Sequence, residues 1–149
     1  MYNPGPEVTV DARLVPFRGR CPFKQYIPSK PGKYGIKIWA ACDARSSYAW
    51  NMQVYTGKPV TGRPEKKQGM RVVLDMTAGL KGHNITRDNF FTTHGLVELL
   101  KRKLTMVGTV RKNKPQLPPA LVSTRGRNAL SSKFAFTDTQ SCVIFAQEK

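Results

Sequence analysis

The sequence predicts a mixed α/β fold, a mixed sheet with flanking helices, and three observations carry that expectation. Residues 8–15, VTVDARLV, alternate apolar and polar side chains at the two-residue period of a strand. GIKIWAACD (35–43) and SYAWNMQVY (47–55) are β-rich runs on either side of ARS, a turn short enough for an antiparallel hairpin. Beyond them, helix-like runs separate further short strand-like ones, and strands alternating with helices call for parallel pairing through crossovers.

In the first strand Val8, Val10, Ala12 and Leu14 share one face, and Thr9, Asp11 and Arg13 the other. An aspartate in mid-strand is unfavourable by propensity, so something must compensate Asp11: a bound metal ion, or an ion pair to Arg13 or Arg18. Residues 16–34, PFRGRCPFKQYIPSKPGKY, hold four prolines and two glycines, too punctuated for a long helix. There Arg18, Arg20, Lys24, Lys30 and Lys33 interleave with Phe17, Phe23, Tyr26 and Tyr34. The pattern suits contact with DNA backbone and unstacked bases; equally, the aromatics could pack inward and leave the lysines solvated.

After the hairpin, residues 56–68 read as a solvated loop. Residues 69–78 place Met70, Val73, Leu74 and Thr77 on one helical face with Arg71 and Asp75 outside, and Gly79 and Gly82 end the helix. HNITRDNFFTT (83–93) then reads as a buried strand with Asn84, Thr86 and Asp88 on one face and Ile85 and Arg87 on the other. Asp88 emerges where the strand stops, a good place for a catalytic carboxylate, although Asp-Asn after a strand is also ordinary turn chemistry. Thr93 is placed to cap a helix that buries Leu96, Leu99 and Leu100 and carries Lys101, Arg102 and Lys103 in its last turn. LTMVGTVR (104–111) is a strand interrupted by Gly108; from Lys112 the chain turns Pro-rich and basic and closes on KFAFT and SCVIFA, two short strand-like runs.

This order of strand, hairpin, helix, strand, helix and strand is the ribonuclease-H-like plan, in which the first and fourth strands lie side by side. Asp11 and Asp88 would then meet across seventy-seven positions of chain.

A length of 149 residues suits one domain with a real core. Lys and Arg number 25 against 9 Asp and Glu, a net charge of +16, which favours a polyanion such as nucleic acid. No apolar run approaches the roughly 20 residues of a membrane span, and MYNPGPEV has no signal-peptide core, so the expected setting is intracellular. Cys21, Cys42 and Cys142 are odd in number and widely spaced, and with His83 and His94 they lack the spacing of a zinc cluster; all three are expected to be reduced.

Three stretches, VDARLVPFRGRCPFKQYIPSKPGKYGIKIWAACDA, GHNITRDNFFTT and LLKRKLTMVGTVRKNKPQLPPAL, closely resemble the catalytic domain of piggyBac-type transposases and the piggyBac transposable element-derived proteins of animal genomes. The resemblance implies a DDE/D recombinase with a ribonuclease-H-like core over residues 1–111 and the start of a β-rich insertion over 112–149, acting on DNA in the nucleus. By position, Asp11 in VDARL matches the family's first catalytic aspartate and Asp88 in NITRDN its second, both metal ligands. Phosphodiester cleavage and strand transfer use two divalent cations, Mg²⁺ or Mn²⁺, which require hard oxygen ligands. Arg18, Arg20, Lys24, Lys30, Lys33, Arg111, Lys112 and Lys114 are the candidate DNA contacts.

The departures from the family pattern shape the expectation. The third family acid falls beyond the insertion and past residue 149, and neither Glu98 nor Asp138 matches it. Metal binding is therefore expected to be weak or absent, and the chain inactive alone. Ala12 stands where Glu usually follows the first aspartate, and Arg87 where Cys commonly precedes the second; by alternation Arg87 should perturb packing rather than metal binding. Family members act as dimers, through parts this sequence is expected to lack. The alternative is a non-catalytic DNA-binding module derived from the same element.

Overall fold

In the computed structural model, which describes residues 2–57, 65, 67–92, 98–123 and 125–145, the alternating run near the N-terminus is strand β1, Glu7–Pro16. The two β-rich runs form the expected antiparallel hairpin, β3 (Tyr34–Asp43) with β4 (Ala49–Val54). β1 lies antiparallel along β3, from Val8 opposite Asp43 to Pro16 opposite Gly35. A two-residue strand within the Pro-rich segment, β2 (Gln25–Tyr26), pairs with the start of β3. β5 (Asn84–Arg87) runs parallel to β1, and β6 (Thr105–Gly108) parallel to β5, so the sheet is mixed, in the order β2-β3-β1-β5-β6 with β4 also on β3.

Paired residues share a face, so Val8, Val10, Trp39, Ala41 and Ile85 present one apolar surface, all buried. Helix α1, Gln68–Met76, covers it with Val72, Val73 and Met76; Leu80, Phe91, Leu99 and Leu104 complete the core. The buried stripe of α1 is turned by about one residue from the expected one: Val73 and Thr77 are buried as expected, but Met70 and Leu74 are only partly so. Gly69 explains the rotation, because a Cβ there would lie 2.8 Å from the Phe90 carbonyl oxygen and 3.2 Å from the Phe91 Cα. The helix thus rests its glycine directly on the backbone that follows Asp88. Arg71 and Asp75 stay outside as expected, joined by a 2.7 Å ion pair, with Glu65 as the second partner of Arg71.

Other details depart from the sequence reading. The strand over 104–111 ends at Gly108, where a Cβ would crowd the Arg87 carbonyl and the Thr92 hydroxyl. α2, Glu98–Lys101, buries Leu99 but leaves Leu100 exposed, because a helix this short turns few side chains toward the core. Thr93, His94 and Leu96, and residues 58–64 and 66 of the loop expected over 56–68, lie outside the described residues. Among the described residues no helix is long and apolar enough to cross a membrane.

Asp43 fixes the hairpin turn in a way the sequence did not suggest. One carboxylate oxygen accepts the N–H groups of Arg45 (2.8 Å) and Ser46 (2.9 Å); the other accepts the Gly5 N–H (2.6 Å) and the Tyr2 hydroxyl (3.0 Å). The Gly5 N–H above all, with those of Ser46 and Arg45 and the Tyr2 hydroxyl, outweighs burial and holds the carboxyl far below the usual carboxylate range. A carboxyl whose folded value lies below its unfolded 3.8 contributes stability that is complete above that value and lost as pH falls through the folded one. Wild type is therefore expected to lose stability on acidification more steeply than Asp43→Asn, with the two urea-unfolding curves converging as pH drops. A constant gap between them would show that the network does not depend on the charge.

The chain divides into two compact units, Met1–Thr109 and Val110–Lys149. The second holds a short helix, α3 (Pro119–Val122), absent from the sequence reading, and an antiparallel pair, β7 (Ser132–Phe136) and β8 (Ser141–Phe145), where KFAFT and SCVIFA were expected as strands. Phe134, Phe136, Val143 and Phe145 lie exposed on one face of that pair.

Candidate active site

The last pair between β1 and β5 sets Val10 opposite Arg87. Asp11 follows Val10 on β1 and Asp88 follows Arg87 at the end of β5, so both aspartates come just past the last paired residues. β5 stops there while β1 continues to Pro16, so the edge of β1 from Asp11 onward is left open by β5. The opening is a cavity of about 170 Å³ whose walls include Asp11, Arg13, Lys30, Lys37, Asp88 and Phe90. A crevice beyond the carboxyl ends of parallel strands is where open α/β sheets hold ligands.

Both carboxylates are oriented by the backbone. Asp11 Oδ1 accepts the Ala12 N–H at 2.6 Å, and Asp88 Oδ1 accepts the Phe90 N–H at 2.9 Å while the Thr92 hydroxyl donates to the Asp88 carbonyl at 2.8 Å. The turn chemistry and the presented carboxylate are therefore one arrangement. Among the described residues Oδ2 of each aspartate has no hydrogen-bond partner, and no ion pair joins Asp11 to Arg13 or Arg18. Two hard oxygen donors facing one cavity suit a divalent cation such as Mg²⁺ or Mn²⁺, which keeps several of its waters. Among the described residues, no group of three or more His, Cys, Asp or Glu side chains gathers to hold a metal ion. The Glu98 side chain lies outside what is described, and Asp138 belongs to the second unit.

Lys37, on β3, is a cavity residue that sequence reasoning missed. Its ammonium lies 5.1 Å from the ring centre of Phe90, 5.4 Å from Tyr55 and 5.5 Å from Trp39. Burial pushes this amine down from its usual value, and the charge of Asp88 partly offsets that. The available signal was alternation, since Lys37 falls on the same strand face as the buried Trp39 and Ala41, where a lysine is out of place.

Arg87, paired with Val10, lies on the core face of β5. It is only 4% exposed; its Nη2 meets the Met106 sulfur, while Nε and Nη1 find no acceptor among the described residues. Burial alone pushes the guanidinium down to about 10.

Of the expected DNA contacts, Arg18, Arg20, Lys30 and Lys33 are exposed, and Lys30 borders the cavity. Lys24 is half-buried; it donates to the Gly19 carbonyl at 3.2 Å and sits 5.9 Å from the ring centre of Tyr34. Tyr26 and Tyr34 are exposed, their tilted rings 4.7 Å apart, so these two aromatics are not core residues. Arg111 and Lys112 are exposed and Lys114 half-buried, all in the second unit. Cys21, Cys42 and Cys142 are free thiols, as expected.

Comparison with known proteins agrees with this architecture. The family model described as Transposase IS4 matches residues 1–149. Human piggyBac transposable element-derived protein 3 is 33% identical over 110 residues, covering 69% of this chain and 18% of that protein. The human chimeric ERCC6-PGBD3 protein has the same identity over the same share of this chain, and 10% of its own length is covered. The cryo-EM structure of the piggyBac transposase synaptic complex with hairpin DNA superposes with a TM-score of 0.88 at 40% identity, over 99% of this chain and 32% of that one. This chain thus spans less than a third of each of these relatives, and it belongs to the piggyBac-type transposase family.

Proposed function

We propose that this chain supplies the first two acids and a DNA-contacting basic face of a DDE-type transposase core with a ribonuclease-H-like sheet, and that Val110–Lys149 belongs to a β-rich insertion. The observation that carries this reading is the lining of one cavity by Asp11 and Asp88, each with Oδ1 tied to a backbone N–H and Oδ2 turned to no protein donor among the described residues. The piggyBac transposase in the matched structure is assembled on hairpin DNA, and the +16 charge of this chain suits the same class of partner.

Asp11 and Asp88 would hold divalent cations, which when bound activate the attacking hydroxyl and stabilise the leaving oxygen of a phosphodiester. The protein's own part is positional: the N–H groups of Ala12 and Phe90 fix the carboxylates, and exposed Arg18, Arg20, Lys30 and Lys33 engage the DNA backbone. Two carboxylates do not fill the ligand needs of a two-ion centre. On its own the chain is therefore expected to bind DNA and a cation without cutting the DNA.

Mn²⁺ at ten times its Kd should add about 1.4 kcal/mol of stability, visible as a rise in thermal midpoint. The rise should vanish in Asp11→Asn and in Asp88→Asn. A rise that persists in both variants would place the ion elsewhere and end the metal reading, while Mn²⁺-dependent nicking of a transposon-end hairpin by wild type would overturn the expectation of inactivity.

A further inference from the structure

We infer that Lys37 is a phosphate-binding residue of the Asp11–Asp88 cavity, its ammonium contacting a non-bridging oxygen of the DNA backbone seated there. This rests on the reading of the cavity as a DNA-phosphate site and adds a contact that neither the acids nor the exposed basic residues supply.

The argument begins with what surrounds the ammonium. Phe90, Tyr55 and Trp39 all place ring centres within 5.5 Å of Lys37 Nζ. Aromatic faces attract a cation but accept none of its hydrogen bonds in the ordinary sense. Among the described residues Nζ makes no hydrogen bond to a carbonyl or carboxylate, and Asp88 acts on it through its field without forming an ion pair. The three N–H donors of a half-buried ammonium are therefore held in place with their hydrogen bonds still to be made.

What they face is decided by the cavity. Lys37 and both aspartates line the same space, and Phe90 links them: its N–H holds the Asp88 carboxylate and its ring carries the Lys37 ammonium. A ligand fitting this space must tolerate two carboxylates and offer acceptors to an ammonium. A phosphodiester would do both where a cation held by the acids offsets their charge, because either of its non-bridging oxygens can accept from the ammonium. Lys30, on the rim of the same cavity, extends the positive side outward along the strand being bound. A lysine that merely neutralised the two acids would sit in contact with a carboxylate, and this one sits on rings.

The test uses the intact chain and a fluorescent hairpin DNA, with Ca²⁺ present so that no cleavage intervenes. Lys37→Met keeps the length and the contact with the rings while removing the charge; it is expected to weaken binding about tenfold and to lower the slope of log K against log salt by about one, with Lys37→Arg restoring the slope. In unaltered protein, saturating hairpin should slow acetylation of Lys37 by N-hydroxysuccinimide acetate, read by mass spectrometry. An unchanged slope in a folded Lys37→Met, or an unchanged Lys37 acetylation rate at saturation, would overturn the inference. If wild type fails to bind the hairpin at all, the DNA reading of the cavity itself is what fails.

Discussion

Replacing Arg87 with methionine is expected to stabilise the protein by about 1 to 3 kcal/mol, measured by urea unfolding at neutral pH. The guanidinium is buried on the core face of β5, and two of its nitrogens find no acceptor among the described residues. Its folded value of about 10 lies below the ordinary guanidinium range, so between the two the unfolded chain binds more protons and stability rises with pH. Below about 10 the penalty is present in full, which is the neutral-pH situation. Methionine keeps much of the length and packs against the Met106 sulfur without a charge to desolvate. A loss of stability in Arg87→Met would instead reveal an acceptor for Nε and Nη1, making the arginine a structural link rather than a burden.

The second large effect expected is on DNA affinity, which should fall about five-hundredfold between 50 and 200 mM salt if some five phosphates are neutralised. Arg18, Arg20, Lys24, Lys30 and Lys33 share one Pro-rich segment of the first unit with the exposed Tyr26–Tyr34 ring pair. Changing Arg18, Arg20 and Lys33 together to alanine should reduce the salt slope by about three. Asp11→Asn and Asp88→Asn should leave it unchanged, because they alter the metal site and not the basic face. A slope insensitive to the triple substitution would move the DNA-binding face elsewhere, with the basic run at Arg111–Lys114 as the next to be tested.

Much of the first unit was legible because its strands obey a two-residue period and its hairpin has a short turn. That Asp11 and Asp88 line one cavity was legible only through topology, because the order of elements put β1 beside β5. What escaped notice depends on partners far away in sequence. Asp43 is held by donors from residues 2 and 5 across the fold, and no local pattern announces that. Lys37 looked like one polar residue in an apolar run until Phe90 and Tyr55 converged on it. The rotation of α1 follows from Gly69 touching the backbone of Phe90 and Phe91, a contact that helical periodicity does not encode.

The parallel pairing of β1 with β5 also bears on how the molecule reaches its native state. The β3–β4 hairpin joins neighbours in the chain and is able to close within microseconds, whereas β1 and β5 meet only after a loop of some seventy residues has been drawn in. The cavity where β5 stops is thus among the last features to mature. A divalent ion would find nothing to grip in the unfolded ensemble or early on the route, so it would act as a latch that retards unfolding while leaving the speed of folding almost untouched.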